Sequence, residues 1–306
     1  MKIMTLCIPI KKDTVAIQQL LESFTIQSEF IQVLVIAKKP SQMLINQINQ
    51  AKEILDVEIT DGSNLYQQIN GLYFKIIEPD SIVHQSSLVS LIKTIKDLVG
   101  VQTSLDMIVC DYEFQTNKKK RSIVSYQKHF LFDSVHSWHQ LKKNNLMPTL
   151  TNSAITIKSN FIREMEFNIQ SVLCETTYAL LVIEKVKTMY YTHEIFEAIV
   201  KLPKKIHIDE LIPQLKCCID VIDLESIKSR KQRHYICQHF NYILAGAVYE
   251  LLNQDSIDGI LLKEEILHYM KVNNYILYRS CIKSPVGKAL YSDNLKITKT
   301  IAKLYK

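Results

Sequence analysis

The first half of this 306-residue chain alternates short apolar runs with stretches whose apolar residues recur at helical spacing. The apolar runs predict strands at residues 4–10, 30–37, 57–60, 72–77 and 107–112, and helical spacing lies between them at 16–24, 43–55 and 88–98. The second run is apolar at four consecutive positions, Val33-Leu34-Val35-Ile36, which is typical of a parallel strand buried on both faces. The alternation therefore predicts an α/β fold, with a mostly parallel sheet between helices on both faces.

The pattern changes near residue 203. Before that point, extended patterns at 122–126, 128–132, 153–157 and 186–191 accompany helical patterns around Trp138 and at 175–183. After it, the spacing of apolar residues is helical, at 208–222, 227–252, 263–271 and 285–304. We therefore expect an α/β domain at residues 1–202 and a helical C-terminal region at 203–306.

Composition and motifs exclude several classes of protein. The chain has only six glycines and neither GxGxxG nor GxxxxGK[ST], so dinucleotide and P-loop folds have no support. Its seven cysteines show no CxxC spacing, which predicts reduced, buried thiols in a cytosolic protein. The N-terminal apolar run is short and favours a strand over a signal peptide, and no run approaches the roughly 18 residues of a membrane span. The net charge of +6 permits anionic partners but is mild, and we expect no nucleic-acid partner.

One segment joins a buried strand to two acids. In residues 71–81 a glycine opens an apolar run that ends in Glu78-Pro79-Asp80. Open α/β sheets bind ligands beyond the carboxyl ends of their strands, and two carboxylates one residue apart on an extended segment point the same way. Such a pair suits a hard divalent cation, which would in turn pair with a diphosphate. The alternative is an ordinary acidic turn, because Pro and Asp are common turn residues.

The C-terminal stretch is basic. Between residues 267 and 306 there are eight lysines and arginines but one acid, Asp293, and apolar residues lie between the charges. A basic amphipathic tail at residues 285–306 would suit peripheral contact with an anionic membrane. The alternative is a terminal helix that packs on its own domain and exposes its lysines.

Several short motifs follow one another in a specific order. The chain opens with Cys7-Ile8-Pro9-Ile10 and a helix that reads QLLESFTIQ; the acid segment and then DMIVCDYE follow. Farther along come MPT at 147–149, FIRE at 161–164, CETTY at 174–178 and VKTMYY at 186–191. In this order the motifs resemble those of the family 2 glycosyltransferases of GT-A fold that build bacterial cell-surface polysaccharides. The resemblance covers about residues 3–195.

The resemblance implies a chemistry and a set of residues. It implies a nucleotide-sugar donor, a glycan or lipid-linked acceptor, Mn²⁺ or Mg²⁺ as cofactor, and inversion at the anomeric carbon. Glu78 and Asp80 would bind the metal, and Glu175 would take the proton from the acceptor hydroxyl, although an acid at a helix N-terminus is also ordinary. The other implied contacts are with the donor (Pro9, Asp61, Ser63 and Asp80) and on the acceptor side (Trp138 and Thr149). The implied location is cytoplasmic, at the inner face of the cell membrane.

The chain also departs from the family pattern. Where the family has DDGS after the second strand, this chain has Ala37-Lys38-Lys39-Pro40-Ser41, and Asp61-Gly62-Ser63 comes later. The metal motif reads Glu-Pro-Asp-Ser in place of Asp-Ser-Asp-Asp, and Thr177 replaces the second acid of the family's YVDMEY motif. These departures support a second hypothesis, in which the protein is a glycosyltransferase-like subunit without turnover that binds a glycan or a partner enzyme.

Three further features have simple structural explanations. His136 and His139 would share one face of a helix, which allows a two-histidine metal site, but a packed or solvent-facing pair is the favoured interpretation. Trp138 suits either stacking on a sugar ring or a core position, and the core is favoured without the resemblance. Asp111 and Glu113 repeat the acid-x-acid spacing, where a strand end entering a turn is favoured.

Overall fold

The computed structural model describes residues 1–10, 16–101, 105–115, 121–131, 133–141, 149–164, 175–200, 208–253, 257–283, 287–288 and 291. The chain forms two compact units, one comprising Met1–Leu173 with Val186–Pro203, and one comprising Cys174–Lys185 with Lys204–Lys306. The first unit contains the sheet and the second is helical. The short segment Cys174–Lys185 therefore groups with the helical unit, whereas the predicted α/β domain at 1–202 included it.

The described strands all belong to the first unit. They are β1 (Met4–Pro9), β2 (Ile31–Ile36), β3 (Val57–Thr60), β4 (Tyr73–Ile76), β5 (Ser81–Val83), β6 (Met107–Gln115), β7 (Arg121–Val124), β8 (Val135–Ser137), β9 (Ile155–Lys158) and β10 (Thr188–Val200). The helices of this unit are α1 (Ala16–Phe24), α2 (Gln42–Ala51), α3 (Leu65–Gln68), α4 (Gln85–Gly100) and α5 (Ser159–Glu164), with 3₁₀ turns at Thr25–Gln27 and Trp138–Gln140.

These strands form one sheet in the order β3-β2-β1-β4-β9-β6-β10-β5, with β7 beside β6 and β8 beside β10. The strands β3, β2, β1 and β4 are mutually parallel, and β6 and β10 are parallel to each other. Antiparallel β9 lies between β4 and β6. The α/β prediction is thus confirmed, and the parallel half of the sheet is the half that carries the first motifs.

Burial explains why these segments are strands. Every residue of β1 and β2 is buried, and their side chains pack with those of α1, α2 and α4 in one apolar core. A close backbone approach holds β1 against the segment before β4: a Cβ at Gly71 would lie 2.4 Å from the nitrogen of Thr5 and 2.5 Å from the carbonyl carbon of Met4. Only glycine fits such a contact without a shift of backbone.

Three local predictions differ from the structure. Residues 128–132 were expected to be extended, but 127–129 form a turn closed by a bond from His129 N–H to the oxygen of Tyr126 (2.9 Å). The helix expected around Trp138 is a single 3₁₀ turn, whose N-terminus is closed by a capping box between Ser137 and Gln140. The strand expected at 186–191 begins at Thr188 and continues to Val200 because it pairs with β6 along most of its length.

The second unit consists of helices in its described part. They are α6 (Glu175–Lys185), α7 (Ile208–Val221), α8 (Arg230–Asn253), α9 (Ile257–Asn273) and α10 (Tyr275–Cys281). Gln232 of α8 donates to the carbonyl oxygens of Ile183 (2.9 Å) and Glu184 (3.0 Å), which joins α8 to the end of α6. Among the described helices, none combines the length and the apolar character that crossing a bilayer requires.

Candidate functional site

The carboxyl ends of the parallel strands lie together at one edge of the sheet. In the register, Pro9 at the end of β1 lies opposite Ile36, and Ile36 lies opposite Thr60 at the end of β3. The pairing continues one residue further, since Ala37 N–H donates to the oxygen of Thr60 (2.9 Å). Asp61 therefore leaves the sheet at the same edge as Pro9, which is the edge where open α/β sheets bind their ligands.

Asp61 closes a small turn on this edge. Its Oδ1 accepts hydrogen bonds from the backbone N–H of Ser63 (2.7 Å) and from the Ser63 hydroxyl (2.5 Å). Gly62 between them has φ 81°, a left-handed conformation that favours glycine. The hydrogen bonds from Ser63 hold the pKa of Asp61 below its usual value, and the charge of Lys38 lowers it further. The turn thus presents an exposed, ionised carboxylate.

The two acids of the predicted metal motif lie in a turn after β4. The strand pairing with β1 extends to Ile77, whose N–H donates to the oxygen of Cys7 (2.9 Å), so that Glu78 begins at the same edge. The oxygen of Glu78 accepts from the N–H (3.1 Å) and the hydroxyl (2.7 Å) of Ser81, which closes a β-turn with Asp80 exposed. The expectation that the two acids lie on an extended segment is therefore wrong. The proline and the serine close the chain into a turn.

A fully buried lysine supports the strand that leads to this turn. The Nζ of Lys75 donates to the carbonyl oxygens of Asn152 (3.1 Å), Ser153 (2.8 Å) and Ile155 (3.2 Å). Three acceptors match the three donors of an ammonium group. Burial lowers the pKa of Lys75, and the charge of Glu197 opposes that shift. Lys75 therefore ties β4 to the segment that enters β9.

Glu197 of β10 contacts the acid turn directly. Its Oε1 accepts a hydrogen bond from the backbone N–H of Glu78 (3.2 Å), and the residue is fully buried. The register of β10 against β6 is irregular between Thr192 and Glu197, and such irregularities re-aim side chains beside functional sites. Sequence reasoning missed both Glu197 and Lys75. The available signal was a charged residue within an otherwise apolar strand, which needs a partner if it is buried.

The second acid-x-acid pair has a structural role. Asp111 is 5% exposed, and its carboxylate accepts from the Tyr191 hydroxyl (3.1 Å to each oxygen) and from the N–H of Tyr126 (3.0 Å). Burial raises the pKa of Tyr191, and the Asp111 charge raises it further. The Tyr126 hydroxyl donates to the carbonyl oxygen of Thr149 (2.9 Å), so this network holds the half-buried Thr149 in place.

The acceptor-side prediction for Trp138 is contradicted by its burial. The side chain is 2% exposed, and its Nε1 donates to the oxygen of Val186 at 2.6 Å. A ring enclosed in this way has no free face for a sugar. His136 is also buried, with its Nε2 within hydrogen-bond distance of Ser134 Oγ (2.9 Å). No group of three or more histidine, cysteine or acidic side chains suited to a metal occurs in the described part of the chain.

Two predicted features lie largely outside the described residues. Glu175 begins α6 in the helical unit, but its side chain is not among those described. Within the basic tail at 285–306, only Gly287, Lys288 and Tyr291 are described. The base and the membrane contact therefore stay predictions.

The side chains of the acid turn are of the chemical type that a hard divalent cation prefers. Glu78 and Asp80 offer carboxylate oxygens, which Mg²⁺ and Mn²⁺ prefer, on a turn that reaches solvent. Proteins commonly bind Mg²⁺ through one or two carboxylates, while substrate phosphates and water occupy the remaining coordination positions.

The mostly parallel sheet with its helices, followed by a helical region, matches the GT-A-like glycosyltransferase fold. Comparison of structures agrees. S. aureus TarS (residues 1–349) in complex with UDP superposes with a TM-score of 0.69 at 10% identity, over 100% of this chain and 91% of that chain. The same TarS fragment in complex with UDP-GlcNAc gives a TM-score of 0.65 at 9% identity, with the same coverage.

A more distant structure is similar over nearly the same length. The mannosyltransferase PcManGT from Pyrobaculum calidifontis, in complex with GDP-Man and Mn²⁺, gives a TM-score of 0.51 at 9% identity over 99% of this chain and 84% of that chain. No protein-family model and no curated protein matches the sequence. The comparisons confirm the GT-A-like fold that the order of motifs predicted, and identities of 9–10% establish the fold alone.

Proposed function

We propose that the protein is an inverting glycosyltransferase that moves a sugar from a nucleotide-sugar donor to a cell-surface glycan precursor or glycoconjugate. One observation carries the proposal: Pro9, the Asp61 turn and the Glu78–Asp80 turn leave the same edge of a parallel half-sheet in a GT-A-like fold. The likeness to proteins crystallised with UDP, UDP-GlcNAc and GDP-Man supports a nucleotide-sugar donor.

On the donor side, each residue has a distinct part. Pro9 and the turn of Asp61 and Ser63 contact the nucleotide, where the ionised carboxylate accepts hydrogen bonds from the base or ribose. Glu78 and Asp80 would hold Mn²⁺ or Mg²⁺. When bound, such a cation neutralises the charge that develops on the leaving diphosphate.

On the acceptor side, Glu175 removes the proton from the attacking hydroxyl. Direct attack by that oxygen on the anomeric carbon breaks the bond to the diphosphate and inverts the configuration. Thr149, which the Tyr126 hydroxyl holds in place, lines the acceptor side. The acceptor is a glycan or a lipid-linked precursor. This proposal gives Trp138 no contact with the acceptor because its ring is buried.

The acceptor chemistry suggests where the enzyme works. We propose that it is cytoplasmic and that residues 285–306 bring it to the anionic inner face of the cell membrane. Tyr291 packs edge-on against Tyr278 (5.5 Å between ring centroids), so a truncation should retain it. Removal of residues 292–306 is expected to abolish binding to vesicles that contain phosphatidylglycerol. Unchanged binding by the truncated protein would rule out a contact through residues 292–306.

The donor proposal is tested by a sugar-nucleotide binding and hydrolysis screen with Mn²⁺. Wild type is compared with Asp80→Ala and with Glu53→Ala, an exposed acid before the amino end of β3. We expect one class of sugar nucleotide to bind and Asp80→Ala to weaken that binding at least tenfold, while Glu53→Ala behaves as wild type. If no sugar nucleotide binds at millimolar concentration, the proposal fails. If Asp80→Ala binds as well as wild type, the metal assignment is wrong.

A second function is favoured by one observation at the same edge. Lys38 and Lys39 are exposed after β2, where the family pattern has acids. Lysines cannot accept the hydrogen bonds that a nucleotide base would donate to a carboxylate, so the protein would then be a glycan-binding or partner-enzyme subunit without turnover. Donor binding together with donor hydrolysis or transfer would exclude this alternative.

A further inference from the structure

Two opposite charges are buried behind the acid turn, Lys75 on β4 and Glu197 on β10. We propose that Glu197 is a positioning residue of the donor site: its carboxylate, balanced by Lys75, fixes the backbone of Glu78 and so sets the direction in which the turn presents its two acids to a metal-bound nucleoside diphosphate. The inference rests on the proposed function and adds to it a pair of residues that do not touch the donor.

The turn has an internal and an external support. Ser81 closes it from within through two hydrogen bonds to the oxygen of Glu78, and these bonds set its shape. The external support comes from β10, where Glu197 accepts from the N–H of Glu78 (3.2 Å). The chain that leaves the turn also pairs with β10, because Ser81 lies opposite Ile199 in the register. The position of the turn relative to the sheet is therefore set by β10.

The charge of Glu197 matters because both partners are fully buried. A carboxylate accepts a hydrogen bond from a backbone amide more strongly than a neutral oxygen does. Burial of that charge would be unfavourable without a counter-charge, and the ammonium of Lys75 supplies one. Lys75 is itself held by three carbonyl oxygens and lies 4.9 Å from the centre of the Phe196 ring. Removal of the Glu197 charge alone leaves the Lys75 ammonium buried without it, whereas removal of both charges leaves neither.

The experiment compares Glu197→Gln, the double variant Lys75→Met/Glu197→Gln, and Glu194→Gln as matched control. Glu194 is also an acid of β10, but it accepts from Ser87 (3.3 Å) and Ser90 (3.1 Å) of α4 and not from the turn. The first readout is the Mn²⁺ concentration that half-saturates binding of UDP or GDP. The second is hydrogen exchange of the Glu78 amide without any ligand.

We expect Glu197→Gln to raise the half-saturating Mn²⁺ concentration about tenfold and to speed exchange of the Glu78 amide about tenfold, because a neutral acceptor holds that amide less tightly. The control should stay within twofold of wild type in both. The double variant leaves no unpaired buried charge, although it also loses the three hydrogen bonds that Lys75 donates. It should show the same shifts, so it replaces the single variant if that variant does not fold.

Loss of thermal stability with unchanged Mn²⁺ dependence in a folded variant would reduce Glu197 to a structural residue and overturn the proposal. Wild-type exchange at Glu78 as fast as in an unfolded peptide would overturn it as well. If wild type binds no sugar nucleotide at millimolar concentration, the proposed function fails, and the exchange rates alone then decide whether Glu197 anchors the turn.

Discussion

His239 makes the stability of the helical unit depend on pH. The imidazole lies in α8 and is 1% exposed, with its ring edge-on to Tyr235 at 5.8 Å between centroids. Neither ring nitrogen has a hydrogen-bond partner among the described residues. Burial lowers the pKa of His239 from 6.5 to about 3, because the protonated ring would have to lose its hydration.

The direction in which stability changes with pH depends on which state of the protein, folded or unfolded, takes up the proton at the higher pH. Since the pKa is lower in the folded protein than in the unfolded chain, the unfolded chain takes up the proton as the pH falls below 6.5. The contribution to stability is therefore complete above that pH and is lost progressively down to the folded pKa. At about 1.36 kcal/mol per pH unit, the loss reaches about 2 kcal/mol at pH 5. Glu184 acts in the opposite direction, because burial raises its pKa.

The measurement is urea unfolding followed by circular dichroism at pH 7 and pH 5. His239→Leu removes the titrating group, so its free energy of unfolding relative to wild type should increase by about 2 kcal/mol between the two pH values. The difference between the two proteins cancels the contribution of Glu184. His234→Leu, which replaces an exposed histidine of the same helix, should keep the wild-type pH dependence. Parallel pH dependence of wild type and His239→Leu would refute the reasoning.

Three further predictions concern packing. Gly71→Ala places a methyl group 2.4 Å from a backbone nitrogen of β1 and should lower the free energy of unfolding by about 1–3 kcal/mol or more. The control Gly100→Ala, whose methyl group meets nothing within 4 Å, should not lower it. Equal losses of unfolding free energy in the two variants would contradict the close approach at Gly71. Trp138→Phe removes the 2.6 Å hydrogen bond to the buried carbonyl oxygen of Val186 and should lower the free energy of unfolding by about 1–3 kcal/mol, with nucleotide affinity unchanged. A tenfold change in nucleotide affinity would indicate that the Trp138 ring belongs to the binding site after all. In a Cys174→Ser background a thiol reagent should modify half-buried Cys217 first, and a fast phase that persists in Cys217→Ser would be inconsistent with the burial of the other described thiols.

Most of the α/β elements could be predicted because their signals are local. The strand expected at 57–60 is β3, and the helical spacing at 16–24 is α1. The spacing of apolar residues within a helix or strand involves only residues that are close in the chain, so it can be recognised without knowledge of the fold. The order of motifs added the fold itself, since motifs at strand ends mark the edge where a sheet binds its ligand.

The candidate site was predicted in part. Motif order pointed to Glu78 and Asp80, and the resemblance implied donor contacts at Asp61 and Ser63; the structure places these four residues at one edge of the sheet. The geometry of the acid turn was not predicted, because an apolar run gives no sign of where the strand ends and Ser81 closes the chain. The assignment of Trp138 to the acceptor side was wrong. The burial of its ring could not be predicted, because it depends on contacts with residues such as Val186, far along the chain.

The residues alone determined the alternation of elements, the absence of glycine-rich nucleotide loops and the position of the acids after the fourth strand. Tertiary structure decided which distant groups meet. Glu78 and Glu197 are 119 positions apart, and the irregular register of β10 brings them within hydrogen-bond distance. Lys75 interrupts an apolar strand in the sequence, yet in the fold it is a buried cation with three carbonyl partners. Local patterns reflect short-range preferences of the chain, whereas the pairing of buried charges depends on the closure of the whole sheet.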